Sequence, residues 1–268
     1  MKIMSWNVRG LGRAEKRRRV RQVIQDRKVD VLLLQETKKS SVDEMFVRSV
    51  WPWERMAFMA VDSDGSAGGL LSIWNTEVFQ LKECCGHRNF LLLSGVTLNS
   101  FECVFLNVYG PNDVSKRAEL WATFGNIRTS FHRPWCMGGD FNVIRNIEDR
   151  RGCARRDRGM VEFNNFIDQM ELVEIPLLGR RFTWCNSMAG ERWSKIDRFL
   201  LDVVWLEKFR FQMWGLPRVV SDHCPLLLME DERNWGPRPF RFLNAWTLHP
   251  DSNGKIDHLI GDGNVHAD

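Results

Sequence analysis

Residues 29–36 read VDVLLLQE, an almost unbroken apolar run of strand length that ends in two polar residues. A strand without polar alternation has to be covered on both faces. The chain must therefore build at least one sheet sandwiched between other layers. Further strand-like runs follow at short intervals: AFMAV (57–61), GGLLSIWN (68–75), FLLLSGVTL (90–98), ECVFLNVYG (102–110) and WCMGGDFN (135–142). Later come FTWCN (182–186), SKIDRFLL (194–201), FRFQMW (209–214) and PLLLME (225–230), and KIMSWNV (2–8) opens the chain. Asn99 and Ser100 between two such runs mark a hairpin. The Gly138-Gly139 pair reads as a turn that ends its strand.

Helical spacing is confined to a few segments. Residues 13–28 carry Ala14, Val20, Val23 and Ile24 on one stripe, and 114–131 carry Leu120, Phe124, Ile127 and Phe131. Residues 160–171 place Met160, Phe163, Phe166, Ile167 and Met170 together, and 42–50 and 203–208 are shorter candidates. Many strands with a few helices in about 230 residues predict two packed sheets with outer helices, an α/β sandwich. Residues 1–231 are expected to form one domain and the polar 232–268 a tail without its own core.

Composition excludes several classes. Of 268 residues, 44% are hydrophobic and 27% charged, which is ordinary for a globular chain and rules out extensive disorder. No apolar run reaches the roughly 18 residues of a membrane span, and MKIMSWNVRGLG lacks an apolar core of signal-peptide length. The seven cysteines are dispersed, with no CxxC pair, and read as reduced core residues rather than as a disulfide or zinc framework. Location in nucleus or cytoplasm is the expectation. The net charge of +4 says little by itself, but its distribution says more. Residues 13–28 hold eight basic and two acidic side chains, and 145–158 hold six and three. Such patches are compatible with a polyanionic partner, and equally with a plain solvated helix face. KRRRVR (16–21) has the composition of a nuclear localisation signal, although it falls inside the first predicted helix.

The chemistry is carried by polar residues at the ends of the apolar strands. Asn7 ends the first, Gln35 and Glu36 the second. Asn107, Tyr109 and Asn112 close the ECVFLNVYG run, and Asp140 and Asn142 close WCMGGDFN. Asp197 lies amid Ile and Phe in SKIDRFLL, where a carboxylate needs a partner. Ser221, Asp222 and His223 precede PLLLME; of the six histidines only His223 has such a setting. Side chains on strand ends are rigidly supported and converge at one rim. Carboxylate and amide oxygens are hard ligands suited to Mg²⁺, and a His with a partner Asp is a general acid–base unit. Together they suit metal-assisted hydrolysis of a phosphate ester.

The segments SWNVRG, LLLQET, LNVYGPN, GGDFN, SKIDRFL and SDHCPL, in that order over residues 2 to about 229, resemble the endonuclease/exonuclease/phosphatase superfamily with its deoxyribonuclease I-like four-layer α/β/β/α sandwich. Within it the chain is most similar to the apurinic-type endonuclease domain of plant LINE-type (non-LTR) retrotransposons, through MKIMSWNVRGLG, RRFTWCN and PRPFRFLNAWTLHP. In such elements the last segment leads on to a reverse transcriptase, a module absent from this chain. The resemblance implies an Mg²⁺-dependent DNA endonuclease, with Mn²⁺ as a substitute, that leaves a 3′-hydroxyl. It implies Glu36 as principal metal ligand, assisted by Asn7, with Asp222 contributing to the metal environment. Asp140 would orient and deprotonate water, and Asn142 position it. Tyr109 and Asn112 would hold the phosphate or stabilise the leaving oxygen. His223, held by Asp197, would bind the scissile phosphate or exchange a proton. Ser221, Arg145, Arg150 and Arg151 are expected on the substrate side, the arginines against the DNA backbone. Arg9 departs from the DNA-repair relatives, which carry a second acid there. A monomer acting on DNA, away from membranes, is the expected state. A phosphatase, an RNA nuclease and a non-catalytic retroelement remnant are the alternatives.

Overall fold

The computed structural model describes residues 1–65, 68–186 and 192–231. Residues Met1–Asp231 form one compact unit. The predicted tail, 232–268, lies outside the described residues. In chain order the first elements are β1 (Lys2–Asn7), α1 (Ala14–Arg27), β2 (Val31–Gln35), α2 (Glu44–Val50), β3 (Ala57–Val61) and β4 (Leu70–Trp74). Next come β5 (Phe79–His87), β6 (Phe90–Thr97), β7 (Glu102–Tyr109), α3 (Val114–Arg128), β8 (Trp135–Asp140) and α4 (Arg158–Gln169). The last are β9 (Leu172–Glu174), β10 (Leu177–Leu178), β11 (Trp184–Cys185), β12 (Trp193–Ser194), β13 (Asp197–Asp202), α5 (Val203–Lys208), β14 (Phe211–Gly215) and β15 (Leu226–Glu230).

Among the described residues the strands form a seven-stranded sheet, β10-β14-β15-β1-β2-β4-β3, and a six-stranded sheet, β5-β6-β7-β8-β13-β9, with β11-β12 a separate hairpin. The apolar run of β2 explains the layering. Val31 and Leu33 join Phe105, Phe199 and Leu226 in the core between the sheets. Leu32 and Leu34 face the other way, into a cluster with Trp6, Val20, Ile24 and Val47 beneath α1 and α2. On the far side α3 and α4 bury Trp121, Phe124, Phe163 and Phe166 against Leu106 and Met137 of the second sheet. The result is the predicted α/β/β/α sandwich. No helix among the described residues is long and apolar enough to cross a membrane.

Several details differ from the sequence reading, among them the short strands β9 and β10, which it does not contain. Gly138 and Gly139 do not form a turn but lie within β8, because that strand is pressed between neighbours. A Cβ at Gly139 would meet the Val108 carbonyl oxygen at 2.0 Å, and one at Gly138 the Phe199 ring at 2.6 Å. The strand β5 has no counterpart in the periodicity reading, because it is a mostly exposed edge strand whose apolar signal is sparse. The cysteines are not uniformly core: Cys103, Cys136, Cys185 and Cys224 are buried, but Cys84 on that edge strand is exposed.

Candidate active site

The sheet registers bring the strand-end residues to one rim. β1 and β2 run parallel, with Asn7 opposite Gln35. β7 and β8 also run parallel, with Tyr109 opposite Asp140, and the antiparallel β13 starts with Asp197 on the other side of Asp140. Parallel neighbours end at the same edge, so Asn7, Glu36, Tyr109 and Asp140 meet where the two sheets face each other. The loop before β15 adds His223. It is tied down by Ser221, whose Oγ donates to the Asn7 carbonyl at 2.7 Å and accepts from the His223 N–H at 3.2 Å.

The centre is a chain of hydrogen bonds. Asn7 is fully buried, and its Nδ2 donates to Glu36 Oε1 and to Asp140 Oδ2, both at 2.9 Å. It thus links two carboxylates from different sheets. Its Oδ1 accepts the Arg9 N–H at 3.1 Å. Asn142, at a left-handed φ of 51°, donates its backbone N–H to Asp140 Oδ1 at 2.9 Å and its amide to the Gly110 carbonyl at 2.8 Å. Glu36 stands at φ 52°, which turns its side chain out of the strand line into the rim. Tyr109 lines the same cleft as Glu36.

His223 and Asp197 are both 3% exposed. His223 Nδ1 lies 3.0 Å from each Asp197 carboxylate oxygen, so it is the donor, and its Nε2 faces Asp140 Oδ2 at 3.8 Å. Asp197 is positioned by Thr183, whose Oγ1 accepts the Ile196 and Asp197 N–H groups at 3.1 Å. Burial alone would lower the His223 pKa, but the Asp197 charge, with Asp140 and Asp222, raises it to about 9. Burial, reinforced by the Asp197 charge, lifts Asp140 to about 7 against the pull of His223, Asn7 and the Asn142 N–H. Burial and the Glu36 and Asp140 charges keep the Tyr109 phenol protonated well above its usual range. Burial would raise Asp222, but His223, Trp184 and Arg9 hold it below the usual carboxylate range.

A cleft of about 640 Å³ opens on this cluster, lined by Glu36, Tyr109, Asn112, Asp140, Asn142 and His223 among others. Arg150 also lines it and donates Nε to Ser194 Oγ at 3.1 Å. Arg151 lines an adjoining cavity with Arg181, Phe182 and Trp193. Arg145 is not brought to the cleft, contrary to expectation. Its Nε donates to Asn164 Oδ1 at 2.9 Å and its NH1 pairs with Glu174 at 3.3 Å, in an ion cluster shared with the fully buried Arg198. Gln35 and Asn107, also strand-end residues, lie behind the rim and pin the sheets together. Gln35 Nε2 donates to Asn107 Oδ1 at 2.7 Å, and Asn107 Nδ2 donates to the Leu34 carbonyl at 3.1 Å. Asp222 is held by Trp184 Nε1 at 2.9 Å and by the Arg9 guanidinium.

Sequence reasoning passed over Trp184, Lys38 and Arg117, all of which line the cleft. The first reads as one core tryptophan among twelve. Lys38, 3.5 Å from Glu36, sits two residues beyond it and offered that proximity as the only signal.

The donor set suits a hard divalent cation. Glu36 and Asp140 present carboxylate oxygens joined through Asn7, and Glu36 faces the cleft. Ligand atoms of Asp140, Asp197 and His223 also lie within 4.8 Å of one another. Both Asp197 oxygens are directed at His223 Nδ1, however, so this trio has the connectivity of a proton-handling unit.

Comparison with known proteins bears on the fold and on the family. Three solved structures resemble the chain at low identity. The catalytic domain of Xenopus laevis APE2 has 15% identity and TM-score 0.64, covering 86% of this chain and 91% of that one. The Leishmania major AP endonuclease LMAP has 17% identity and TM-score 0.65, covering 86% and 87%. The endonuclease domain of TRAS1, a telomere-specific non-LTR retrotransposon, has 13% identity and TM-score 0.64, covering 85% and 97%. These likenesses establish the deoxyribonuclease I-like fold. Residues 4–223 match the Endonuclease/Exonuclease/phosphatase family over most of the chain, and the protein belongs to that family of phosphoester hydrolases.

Proposed function

We propose that the chain is a divalent-metal-dependent endonuclease that hydrolyses DNA phosphodiester bonds and leaves a 3′-hydroxyl. The observation that carries this reading is the buried Asn7 bridge between Glu36 and Asp140, set beside the Asp197–His223 pair at the mouth of one cleft. Glu36, with Asn7 behind it, would hold Mg²⁺, and a bound Mg²⁺ supplies charge neutralisation of the phosphate. Asp140, lifted to about 7, accepts the proton of the attacking water near neutral pH. Asn142 fixes the carboxylate through its N–H. His223 works as the imidazolium: Asp197 fixes its Nδ1–H, and Nε2–H donates to a phosphate oxygen. Tyr109 stays a neutral donor to the phosphate, with Asn112 beside it. Arg150 and Arg151 contact flanking backbone.

DNA as substrate rests on the strand-end motifs and on the likeness to AP endonucleases and to the TRAS1 endonuclease domain. The segments MKIMSWNVRGLG, RRFTWCN and PRPFRFLNAWTLHP in the sequence support an origin in a plant LINE-type element, where the cut primes reverse transcription. The test is a substrate panel. With Mg²⁺ the protein is expected to nick double-stranded DNA, and a polymerase is expected to extend the nick without end repair. Preferential cleavage of RNA or of inositol phosphates would contradict the assignment.

A further inference from the structure

Arg9 occupies an unusual place. Its backbone is in the left-handed region at φ 45°, and its N–H is tied to Asn7 Oδ1, the residue that bridges the two site carboxylates. Its guanidinium pairs with Asp222, yet about half of the side chain is exposed (49%). A guanidinium has five donors, and the Asp222 contact uses only NH1. Arg9 lines the catalytic cleft with Glu36, Tyr109 and His223. It also lines a neighbouring groove of about 850 Å³ with Arg13, Lys16 and Arg19, where Glu15 is the one acidic residue. It therefore stands at the junction of the site and a basic channel along the start of α1.

Asp222 is correspondingly committed. Its Oδ2 takes Trp184 Nε1 and Arg9, and its Oδ1 lies 3.3 Å from Ser221 Oγ. These partners leave the carboxylate in the role of an anchor. On the reading of the cleft as a phosphodiesterase site, we propose that Arg9 is a substrate-phosphate contact, and that Asp222 serves the site by positioning Arg9 rather than by ligating the metal. The ligand class is the nucleic-acid backbone phosphate next to the scissile bond, gripped by the guanidinium donors not used by Asp222.

The test reads DNA binding without metal and metal binding without DNA. Affinity for a short duplex is measured by fluorescence anisotropy in EDTA over a salt series. Arg9→Ala should weaken binding about 10-fold and reduce the log–log salt slope by about 0.9, the value for one lost phosphate contact, and Arg9→Lys should restore most of that slope. Asp222→Asn alone should weaken binding about 3-fold but add less than about 2-fold in the Arg9→Ala background, the signature of two residues acting as one unit. Calorimetric Mg²⁺ binding should be lost in Glu36→Ala and kept within about 2-fold in Asp222→Asn, the scatter expected of a side chain energetically independent of the ion. Unchanged DNA affinity and slope in a folded Arg9→Ala, or loss of Mg²⁺ binding in Asp222→Asn equal to that in Glu36→Ala, would overturn the proposal. A wild-type protein that neither binds nor nicks DNA would instead refute the endonuclease reading itself.

Discussion

On the proposed mechanism, two opposed titrations at neighbouring buried groups set the pH range of activity. Asp140 must be unprotonated to accept a proton, and its pKa is raised to about 7, so activity falls as pH drops through that value. His223 must be protonated to donate to phosphate, and its pKa is raised to about 9, so activity falls as pH rises past that value. A bell-shaped profile of kcat/KM with a plateau between these limits is expected. Asp197→Asn removes the leading influence that raises His223. It should cost about 10²-fold in kcat and move the basic limb to lower pH. An unmoved basic limb would show that Asp197 has only a structural role. Glu36, Asp140 and His223 stood out in the sequence only jointly, since each alone has a bland reading as a solvent-facing, turn or loop residue. Arg145 was misread: sequence proximity to Asp140 says nothing of which way a guanidinium turns, and Glu174 captured it. The inter-sheet pair Gln35–Asn107 looked like site residues for the same reason, since a strand end and a strand interior differ by only one or two positions.

The strands that carry these residues are positioned by close packing as much as by hydrogen bonds. At Gly139 of β8, directly before Asp140, a Cβ would sit 2.0 Å from the Val108 carbonyl oxygen of β7. Gly139→Ala must push β7 and β8 apart, at a cost of about 3 kcal/mol, the upper range for overpacking. A melting temperature lower by roughly 6–12 °C follows for a domain of this size, and a loss under about 2 °C would show that the rim is more plastic than the structure implies. The apolar periodicity located β1, β2, β4, β6, β7 and the main helices, because burial on both faces leaves an unmistakable run. It missed β5, whose exposed face is polar, and the very short β9 and β10, and took the Gly138-Gly139 pair for a turn. The need for glycine there comes from contacts with Val108 and Phe199, far away in sequence, which no local pattern contains.

The four-layer sandwich places one polar rim between two apolar sheets and borders it with basic segments. If Arg150, Arg151 and the start of α1 grip the DNA backbone, log K should fall steeply with log salt, by about 0.9 for each phosphate neutralised. Binding insensitive to salt would contradict the electrostatic account. The layering was legible because β2 must be covered on both faces. The convergence of residues 7, 36, 140 and 223 was legible only as a set of strand ends, since the registers that align them are tertiary. Supercoiled plasmid distinguishes a hydrolytic site at this convergence from an inert one. With Mg²⁺ the purified protein should convert supercoiled to nicked circles. That activity should vanish in EDTA and in Glu36→Ala, and fall at least about 10²-fold in His223→Ala, the usual contribution of a general acid–base group. A folded protein that nicks no DNA with Mg²⁺ or Mn²⁺, or a Glu36→Ala variant that nicks as fast as wild type, would contradict a hydrolytic site there.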